Sequence, residues 1–203
     1  QVMYMLELRK RLQAVEEDQR EQTKKRNKLL YQSEHDELTG LYNKRSLNRY
    51  LEDVFEDCKL NEKELGILFL DIDYFKQLND RYGHGKGDEG ICAVADTLKR
   101  IFPEDYVARY GGDEFLVVMT GRDLTYAMEH AESLCAGIRE YKIPNEDSEL
   151  EPWLTISVGG VCAIPREPNR VWDFLSAADN TLYEQKKEQK GKVRFYQGEG
   201  KYL

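Results

Sequence analysis

Two glycines followed by two acids form the stretch of this sequence that is best placed to do chemistry. Positions 111–114 read Gly-Gly-Asp-Glu and lie between two runs of alternating apolar residues, 106–110 and 115–119. Such runs predict two strands, and a Gly-Gly pair favours a tight turn between them, because glycine adopts positive φ without steric cost. The carboxylates of Asp113 and Glu114 would then lie at the exposed tip of a hairpin, where they can bind a metal ion.

A third acid, Asp71, ends another apolar run. Residues 65–70 have the length and composition of a buried strand. If this strand lies beside the hairpin, the carboxylates of Asp71 and Asp113 converge on a shared cation. Phosphoryl and nucleotidyl transfer require a divalent cation that neutralises a triphosphate and lowers the pKa of the attacking hydroxyl, and Mg²⁺ prefers carboxylate oxygens. The positions of these acids therefore predict a site for a divalent cation of the kind that such a transfer requires.

The elements around these acids predict an α/β (α+β) domain with a mixed, mainly antiparallel sheet and helices against each face. A polar loop is expected after Asp71, and three glycines from Gly83 to Gly87 are expected to break the chain before Asp88 opens a helix, with Asp88 as a possible N-cap. The predicted strands are 65–70, 106–110, 115–119, 153–164 and 193–196. One helix is predicted to begin at Ser46, and three more are predicted over 88–100, 124–141 and 171–189.

Residues 2–35 predict one long helix, because they contain neither proline nor glycine. At ~1.5 Å per residue this helix would reach roughly 50 Å, which is more than packing on one domain requires. Its apolar three-four spacing predicts a dimerising coiled coil over 1–35, followed by a separate domain over 36–203. A solvated helix without a partner is the alternative. The apolar seam positions are Met5, Leu8, Leu12, Val15 and Leu29, and the polar seam positions are Gln19, Gln22 and Arg26.

Charge and cysteine content exclude several kinds of partner. The 203-residue chain has a formal net charge of −8. An acidic protein is not suited to bind a nucleic-acid duplex, but it can bind a nucleotide, because a cation and a few lysines offset the phosphate charge. The cysteines stand apart without C-x-x-C spacing, which predicts reduced thiols in a cytoplasmic protein. They are Cys58, Cys92, Cys135 and Cys162.

No apolar run approaches the ~18 residues of a membrane span, so we expect no membrane segment in this sequence. The sequence begins with Gln1, already inside a helical pattern. We therefore expect a piece of a longer protein whose upstream sensor or membrane segment is not included. The full-length protein would then be cytoplasmic, either free or tethered to a membrane.

Residues 109–115, Arg-Tyr-Gly-Gly-Asp-Glu-Phe, resemble the signature of the GGDEF family, the diguanylate cyclases, which join two GTP molecules into cyclic di-GMP. Other strings agree with motifs of this family in order and spacing, so the resemblance extends from Asp36 to about Tyr196 and implies the palm-like sheet of nucleotide cyclases. These strings are 36–45 (DELTGLYNKR), 71–88 (DIDYFKQLNDRYGHGKGD) and 178–186 (ADNTLYEQK).

The resemblance implies roles for the acids. Asp71 and Asp113 match side-chain metal ligands, and the carbonyl of Ile72 adds a further ligand. Glu114 is either a ligand or the general base for the 3′-hydroxyl, and the two roles stay open. Two Mg²⁺ or Mn²⁺ ions are expected in each site, with Asp71, Asp113 and Glu114 as the catalytic residues.

The resemblance also implies how a nucleotide is held. Asn79 and Asp88 match the residues that read guanine, whose N1–H and N2–H₂ donors one carboxylate can accept together, whereas adenine presents an acceptor at N1. Asp88 is therefore expected to select GTP over ATP. Lys76, Lys186 and Lys190 match basic residues that hold the triphosphate, although each could instead be a solvated surface charge.

The sequence departs from the family pattern at two places. Gln189 stands where a glycine is expected near the C-terminal lysines, so Lys192 is a rival to Lys190. Phe102 stands where many members carry the arginine of an R-x-x-D motif that binds product and stops the enzyme, with Asp105 as its acid. Phenylalanine cannot form the bidentate contacts of arginine, so weak or absent product inhibition is expected.

The implied function is a diguanylate cyclase that condenses two GTP into cyclic di-GMP and releases two pyrophosphates. One site holds one GTP, so two domains must face each other, and a homodimer through the N-terminal helix would bring them together. The alternative is a catalytically inactive GGDEF module that binds GTP or cyclic di-GMP as a signalling receptor. Loss of the hairpin acids, or of Asn79 and Asp88, would mark such a module, and all four residues are present.

Overall fold

The computed structural model describes residues 2–197, and in this range a long helix precedes a sheet that is covered by helices on both faces. The predicted fold class is confirmed. The elements are α1 (Val2–Glu34), β1 (Tyr42–Asn43), α2 (Lys44–Leu60), β2 (Leu65–Ile72), α3 (Phe75–Tyr82), α4 (His84–Ile101), β3 (Tyr106–Arg109), β4 (Glu114–Thr120), α5 (Leu124–Glu140), β5 (Ile156–Ala163), α6 (Val171–Glu188) and β6 (Val193–Phe195).

The strands of residues 2–197 form one sheet in the order β1-β3-β4-β2-β5-β6. The four central strands β3, β4, β2 and β5 are antiparallel to one another, and the short edge strands β1 and β6 pair in parallel with β3 and β5. β2 is the centre of this arrangement, since it pairs along its length with both β4 and β5. The end of β2 therefore lies between the ends of two other strands, and residues there can meet side chains from both.

Each face of the sheet has its own apolar core, because successive residues of a strand point to opposite faces. Leu65, Ile67 and Phe69 of β2 pack in the core that includes α2 and α6. The intervening Leu68 and Leu70 pack in the other core, with α4 and α5. By this alternation the side chain that follows Phe69 by two positions, that of Asp71, lies on the α6 face.

Gly159 of β5 is what allows α6 to lie close to the sheet. A Cβ built at Gly159 would be 2.2 Å from the backbone nitrogen of Leu182 and 2.4 Å from the carbonyl oxygen of Ala178. Backbone atoms cannot move aside as a flexible side chain can, so any larger residue would push the helix outward. Lys186, one helical turn after Leu182, reaches the end of β2 because of this close approach.

The long N-terminal helix is present, and the described side chains of its apolar seam are exposed: Met5, Leu12, Val15 and Leu29 are all more than half accessible. The side chain of Leu8, also predicted in the seam, lies outside the described residues. Dimerisation and the division into domains at residue 35 remain predictions, and the domain's last residues, 198–203, are likewise outside the described range.

The end of α1 is fixed to the domain by residues of α2 and its N-cap. The side chain of Asn43 accepts the backbone N–H of Ser46 and donates to the carbonyl of Ser33 at 2.8 Å. The hydroxyl of Ser46 donates to the carbonyl of Glu34 at 3.0 Å. These bonds satisfy carbonyls that a helix leaves free at its C-terminus, so α1 ends here for a defined reason.

Several boundaries differ from the sequence predictions. The expected polar loop after Asp71 contains the helix α3, and α4 begins at His84, so Gly85 and Gly87 lie inside a helix. Gly83 alone breaks the chain, with φ +83°. Asp88 is therefore not an N-cap but lies in the second turn of α4. The strand β1 was not predicted, and α2 begins two residues before Ser46.

Along residues 2–197, no helix combines the length and the apolar character that crossing a bilayer requires.

Candidate active site

The ends of β2 and β4 bring the three predicted acids together. Asp71 pairs in register with Glu114 across the antiparallel strands. The backbone N–H of Ile72 donates to the carbonyl of Asp113 at 3.3 Å, which fixes the hairpin tip against the end of β2. Asp113 is also close enough to raise the pKa of Asp71 by charge repulsion. The fold thus brings these three residues to one end of the sheet, and their binding of a shared cation remains a prediction.

The Gly-Gly pair serves this hairpin in a different way from the one predicted. The glycines with positive φ among the described residues do not include Gly111 or Gly112. Instead, a Cβ at Gly111 would be 2.6 Å from a carboxylate oxygen of Glu114, whereas a Cβ at Gly112 would meet nothing within 4 Å. A side chain at Gly111 would therefore displace the Glu114 carboxylate from its present position, and the glycine is not required by its backbone conformation.

Arg109 holds the hairpin tip from behind. Its Nε donates to the carbonyl oxygens of Gly111 and Gly112 at 3.1 Å, and its Nη2 donates to that of Gly112 at 2.7 Å. Its Nη1 donates to the carboxylate of Asp36 at 3.1 Å, and that carboxylate also accepts bonds from Thr39. One guanidinium thus joins the tip to the first residues of the domain.

The Lys186 ammonium forms an ion pair with the carboxylate of Asp71. Burial raises the pKa of Asp71 to about 6, although Lys186 acts in the opposite direction. Burial also raises the pKa of Glu114, helped by the charges of Asp113 and Asp179. A second positive charge at this position would stabilise the ionised form of both carboxylates. The electrostatics of the site therefore favour the binding of a cation.

The donor set fits a divalent cation that is shared with a substrate. Among residues 2–197, no group of three or more His, Cys, Asp or Glu side chains forms a complete metal site. Mg²⁺ is commonly held by one or two carboxylates and completes its shell with water and substrate phosphates. The carboxylates of Asp71 and Asp113 match that arrangement, and the ammonium of Lys186 is a cation that is already paired with Asp71.

The predicted guanine-reading residues lie on α3 and α4, which pack against each other. The side-chain oxygen of Asn79 is buried without a hydrogen-bond partner among the described residues. It lies directly over Gly87, where a Cβ would be only 2.0 Å from it. Asp88 is exposed in the next position of α4. A free buried acceptor beside an exposed carboxylate is suited to receive the donors of a base.

The predicted phosphate-binding lysines differ in their surroundings. Lys186 is at Asp71, whereas Lys76 is exposed on α3 and has no described polar contact. Lys190 lies past the end of α6, and its ammonium is 3.8 Å from the ring centroid of Tyr74, which follows the β2 acids. Lys192 lines a different pocket, next to Cys135 and Arg139. This placement favours Lys190 over Lys192.

Two residues near the acids were not singled out from the sequence. Lys44, the first residue of α2, places its ammonium 3.8 Å from the ring centroid of Tyr110, and its charge lowers the pKa of Glu114. Asp179 on α6 acts on Glu114 in the opposite sense. Both lie in strings that resemble motifs of the family, 36–45 and 178–186, but the sequence implies no role for either, because each reaches the site only through the packing of its helix on the sheet.

The structure explains the departure at Phe102. Its side chain is 1% exposed and packs in the core between α4 and α5. The remaining acid of the motif, Asp105, accepts a hydrogen bond from the hydroxyl of Tyr126 at 2.9 Å, and burial raises its pKa. The carboxylate is thus engaged within the protein, and no guanidinium stands at position 102.

Solved structures first define the class of this fold. The coiled coil and GGDEF domain of DgcB from Caulobacter crescentus, crystallised with cyclic di-GMP, aligns with a TM-score of 0.82 at 22% identity, covering 93% of this chain and 99% of that one. The diguanylate cyclase SiaD from Pseudomonas aeruginosa, in complex with its activator SiaC, aligns with a TM-score of 0.71 at 27% identity over 95% and 74% of the two chains. The architecture is that of a GGDEF domain with a preceding helix.

The family model described as "Diguanylate cyclase, GGDEF domain" matches residues 33–192, so the chain belongs to the GGDEF diguanylate cyclase family. Two curated relatives are from Escherichia coli K12. The probable diguanylate cyclase DgcC is 32% identical over 80% of this chain and 43% of its own length, and the diguanylate cyclase DgcM is 33% identical over 85% and 41%. The chain thus spans about two-fifths of these relatives.

Proposed function

We propose that this chain is an active diguanylate cyclase, which condenses two GTP into cyclic di-GMP and releases two pyrophosphates. The observation that carries the proposal is the meeting of Asp71, Asp113 and Glu114 at the ends of β2 and β4, with Lys186 paired to Asp71. Family members use divalent cations, and these acids retain the charge and the placement to bind them.

In this proposal the metal ligands are the side chains of Asp71 and Asp113 and the carbonyl of Ile72, and Glu114 is either a ligand or the general base. Two Mg²⁺ or Mn²⁺ ions in a site would neutralise the triphosphate and lower the pKa of the 3′-hydroxyl. The raised pKa of Glu114 favours proton acceptance nearer to neutral pH than a solvated glutamate allows.

The nucleotide would lie between α3, α4 and the end of α6. Asn79 and Asp88 accept the guanine donors, and Asp88 disfavours adenine because N1 of adenine has no proton to donate. Lys76, Lys186 and Lys190 bind the phosphates. Lys186 would move from Asp71 to a phosphate oxygen when a metal ion takes over the charge of that carboxylate.

The reaction requires two such sites that face each other, and we propose that α1 provides the dimer contact. Its exposed apolar seam is of the kind that two helices bury against each other in a coiled coil. Linking two domains replaces a bimolecular encounter with an effective concentration of about millimolar. A longer parent protein with an upstream sensor, and a cytoplasmic location of the domain, complete the proposal.

The direct test is incubation of the full chain with GTP and Mg²⁺, followed by chromatography for cyclic di-GMP and pyrophosphate. The expected products form in the wild type, fail to form in Asp113→Ala, and form poorly in Asp88→Ala. Replacing GTP with ATP should give no cyclic product. Tight binding of GTP or cyclic di-GMP by a folded wild type that never produces pyrophosphate would overturn the enzyme proposal and identify a receptor instead.

We also expect the product not to inhibit through the Phe102–Asp105 motif. Isothermal titration calorimetry with cyclic di-GMP should show no tight site that depends on Asp105, because the core side chain of Phe102 cannot replace a guanidinium. Adding product to the turnover assay should leave the initial rate of the wild type and of Asp105→Ala equally unchanged. Tight binding that Asp105→Ala abolishes would contradict this expectation.

A further inference from the structure

Asp73 is a buried carboxylate that the proposed mechanism does not use. It follows β2, is 1% exposed, and accepts hydrogen bonds from the hydroxyls of Thr155 at 2.9 Å and Ser157 at 2.7 Å, one on each carboxylate oxygen. Its backbone N–H donates to the carbonyl of Thr155 at 2.9 Å. Both oxygens are thus engaged by β5 and its approach, which is not the environment of a ligand that faces a substrate.

Ser157 connects this carboxylate to the chain beyond α6. Because its hydroxyl donates to Asp73, its oxygen is left to accept, and it accepts the backbone N–H of Gly191 at 3.0 Å. The carboxyl oxygen of Asp73 accepts this hydrogen at 2.7 Å in a site without access to water, which holds the hydroxyl in one orientation. The buried acid therefore fixes the direction of a bond that ends on the backbone of Gly191.

The turn at Gly191 is held from a second side as well. Arg139 of α5 donates from Nη2 to the carbonyl of Gly191 at 2.9 Å, and the backbone N–H of Val158 donates to the carbonyl of Lys192 at 3.0 Å. Gly191 has φ +73°, a conformation that suits glycine. Lys190, the residue just before it, has its position set by this turn, because α6 has already ended at Glu188.

We propose that Asp73 is a positioning residue for phosphate binding: through Ser157 it sets the Gly191 turn and so presents Lys190 to the triphosphate of a nucleotide. This inference rests on the proposed nucleotide-binding function and deepens it. The ammonium of Lys190 lies 3.8 Å from the ring centroid of Tyr74, the residue that follows Asp73. Asp73 therefore acts on the backbone next to Lys190, and Tyr74 contacts its ammonium. Asp73 thereby acts on phosphate affinity, and neither on base recognition nor on the metal.

The test compares Ser157→Ala and Asp73→Asn with the wild-type chain in the presence of Mg²⁺. The probes are 3′-deoxy-GTP, which cannot react for lack of the 3′-hydroxyl, and GMP, which lacks the outer phosphates. Thr97→Ala is the matched control, since Thr97 is a fully buried hydroxyl that bonds to the carbonyl of Ala93 within α4. Calorimetry gives the affinities, and circular dichroism confirms that each variant is folded.

We expect Ser157→Ala and Asp73→Asn to bind 3′-deoxy-GTP about tenfold more weakly than the wild type. Their affinity for GMP and the Mg²⁺ concentration at half-saturation should stay as in the wild type. The control variant should change none of these quantities. If Ser157→Ala does not fold, the nearly isosteric Asp73→Asn carries the comparison.

Two results would overturn the inference. If the affinity for 3′-deoxy-GTP and for GMP falls equally, or if neither affinity changes, Asp73 has only a general structural role. A shifted Mg²⁺ requirement in Asp73→Asn would assign the carboxylate to the metal. Failure of the proposed function itself looks different, because the wild type would then show no preference for 3′-deoxy-GTP over 3′-deoxy-ATP.

Discussion

The carboxylate of Asp71 is largely removed from water, and burial is the main reason that its pKa rises to about 6. A charge kept in such a place at neutral pH costs folding free energy, since the unfolded chain ionises near 3.8. Acids that bind a cation during turnover are expected to carry this cost, because their charge is matched only when the ion is present. Function and stability therefore oppose each other at this residue.

We predict that Asp71→Asn raises the thermal stability of the chain in the presence of EDTA at pH 7, while it abolishes cyclic di-GMP formation. The rise of the Asp71 pKa from 3.8 to about 6 already includes the opposing effect of Lys186 and corresponds to roughly 3 kcal/mol, so a gain on the order of 2–3 kcal/mol is expected. Thermal denaturation followed by circular dichroism measures it. Glu52→Gln, at an exposed acid of α2, is the control and should change neither quantity.

A glycine is needed at position 87 because the side chain of Asn79 occupies the space of a Cβ, and not because of its backbone conformation. Gly87→Ala would place a Cβ 2.0 Å from the side-chain oxygen of Asn79 and force that amide to move. We expect at least about tenfold weaker binding of 3′-deoxy-GTP, because a displaced acceptor leaves a donor of the base unpaired. Gly85→Ala is the matched control in the same helix: its Cβ meets nothing within 4 Å, so unchanged binding and slightly higher stability are expected. Equal effects of the two variants would contradict the assigned role of Asn79.

At the scale of elements, the junction between α1 and the domain depends on Asp36. Burial alone would raise the pKa of Asp36, but hydrogen bonds from Thr39 and Arg109 lower it below 3.8 overall. A lowered pKa contributes stability above the unfolded value, and this contribution is lost as pH falls through the folded value. The ion pair with Arg109 is thus a source of stability at neutral pH that acid removes.

We predict that Asp36→Asn lowers the free energy of unfolding by about 1–3 kcal/mol at pH 6–8, since it weakens charge-assisted bonds that are partly shielded from water. The difference from the wild type should shrink as pH is lowered below 3.8. Thermal denaturation between pH 7 and pH 3 provides the measurement. Glu104→Gln, which breaks an exposed ion pair with Arg122, should have little effect at any pH. A constant gap for Asp36→Asn at all pH values would show that its charge is not the cause.

The elements also show which parts of the fold the sequence could predict. The apolar run of β2 and the helical patterns of α5 and α6 are local, so their positions follow from the sequence nearly to the residue. Gly83 breaks the chain as predicted, but Gly85 and Gly87 lie inside α4, and only the packing of Asn79 reveals why position 87 is a glycine. Gly111 is likewise explained only by a neighbouring side chain, the carboxylate of Glu114. The positions of Lys44 and Asp179 depend on which helix packs on which face, and no local pattern encodes that.

For the whole molecule, we expect association to depend on α1, because its described side chains are exposed as far as Ser33. Its described apolar seam residues are exposed, and the middle third of the seam is polar. A helix of this kind gains little from a partner in its middle and more at its ends, so the dimer is expected to be dissociable and its register adjustable. Turnover by two facing sites would then rise with protein concentration.

We predict that replacing Gln19, Gln22 and Arg26 together by leucine strengthens the dimer at least about tenfold and makes specific activity independent of protein concentration, because continuous apolar a and d positions stabilise a coiled coil. Sedimentation velocity gives the dimer affinity, and initial rates over a dilution series give the activity. The matched control places three leucines on the opposite side of the same helix, at Lys10, Glu17 and Lys24. Equal strengthening by the control would point to nonspecific association, and a monomeric seam variant with full activity at high dilution would show that the stalk does not bring the two sites together.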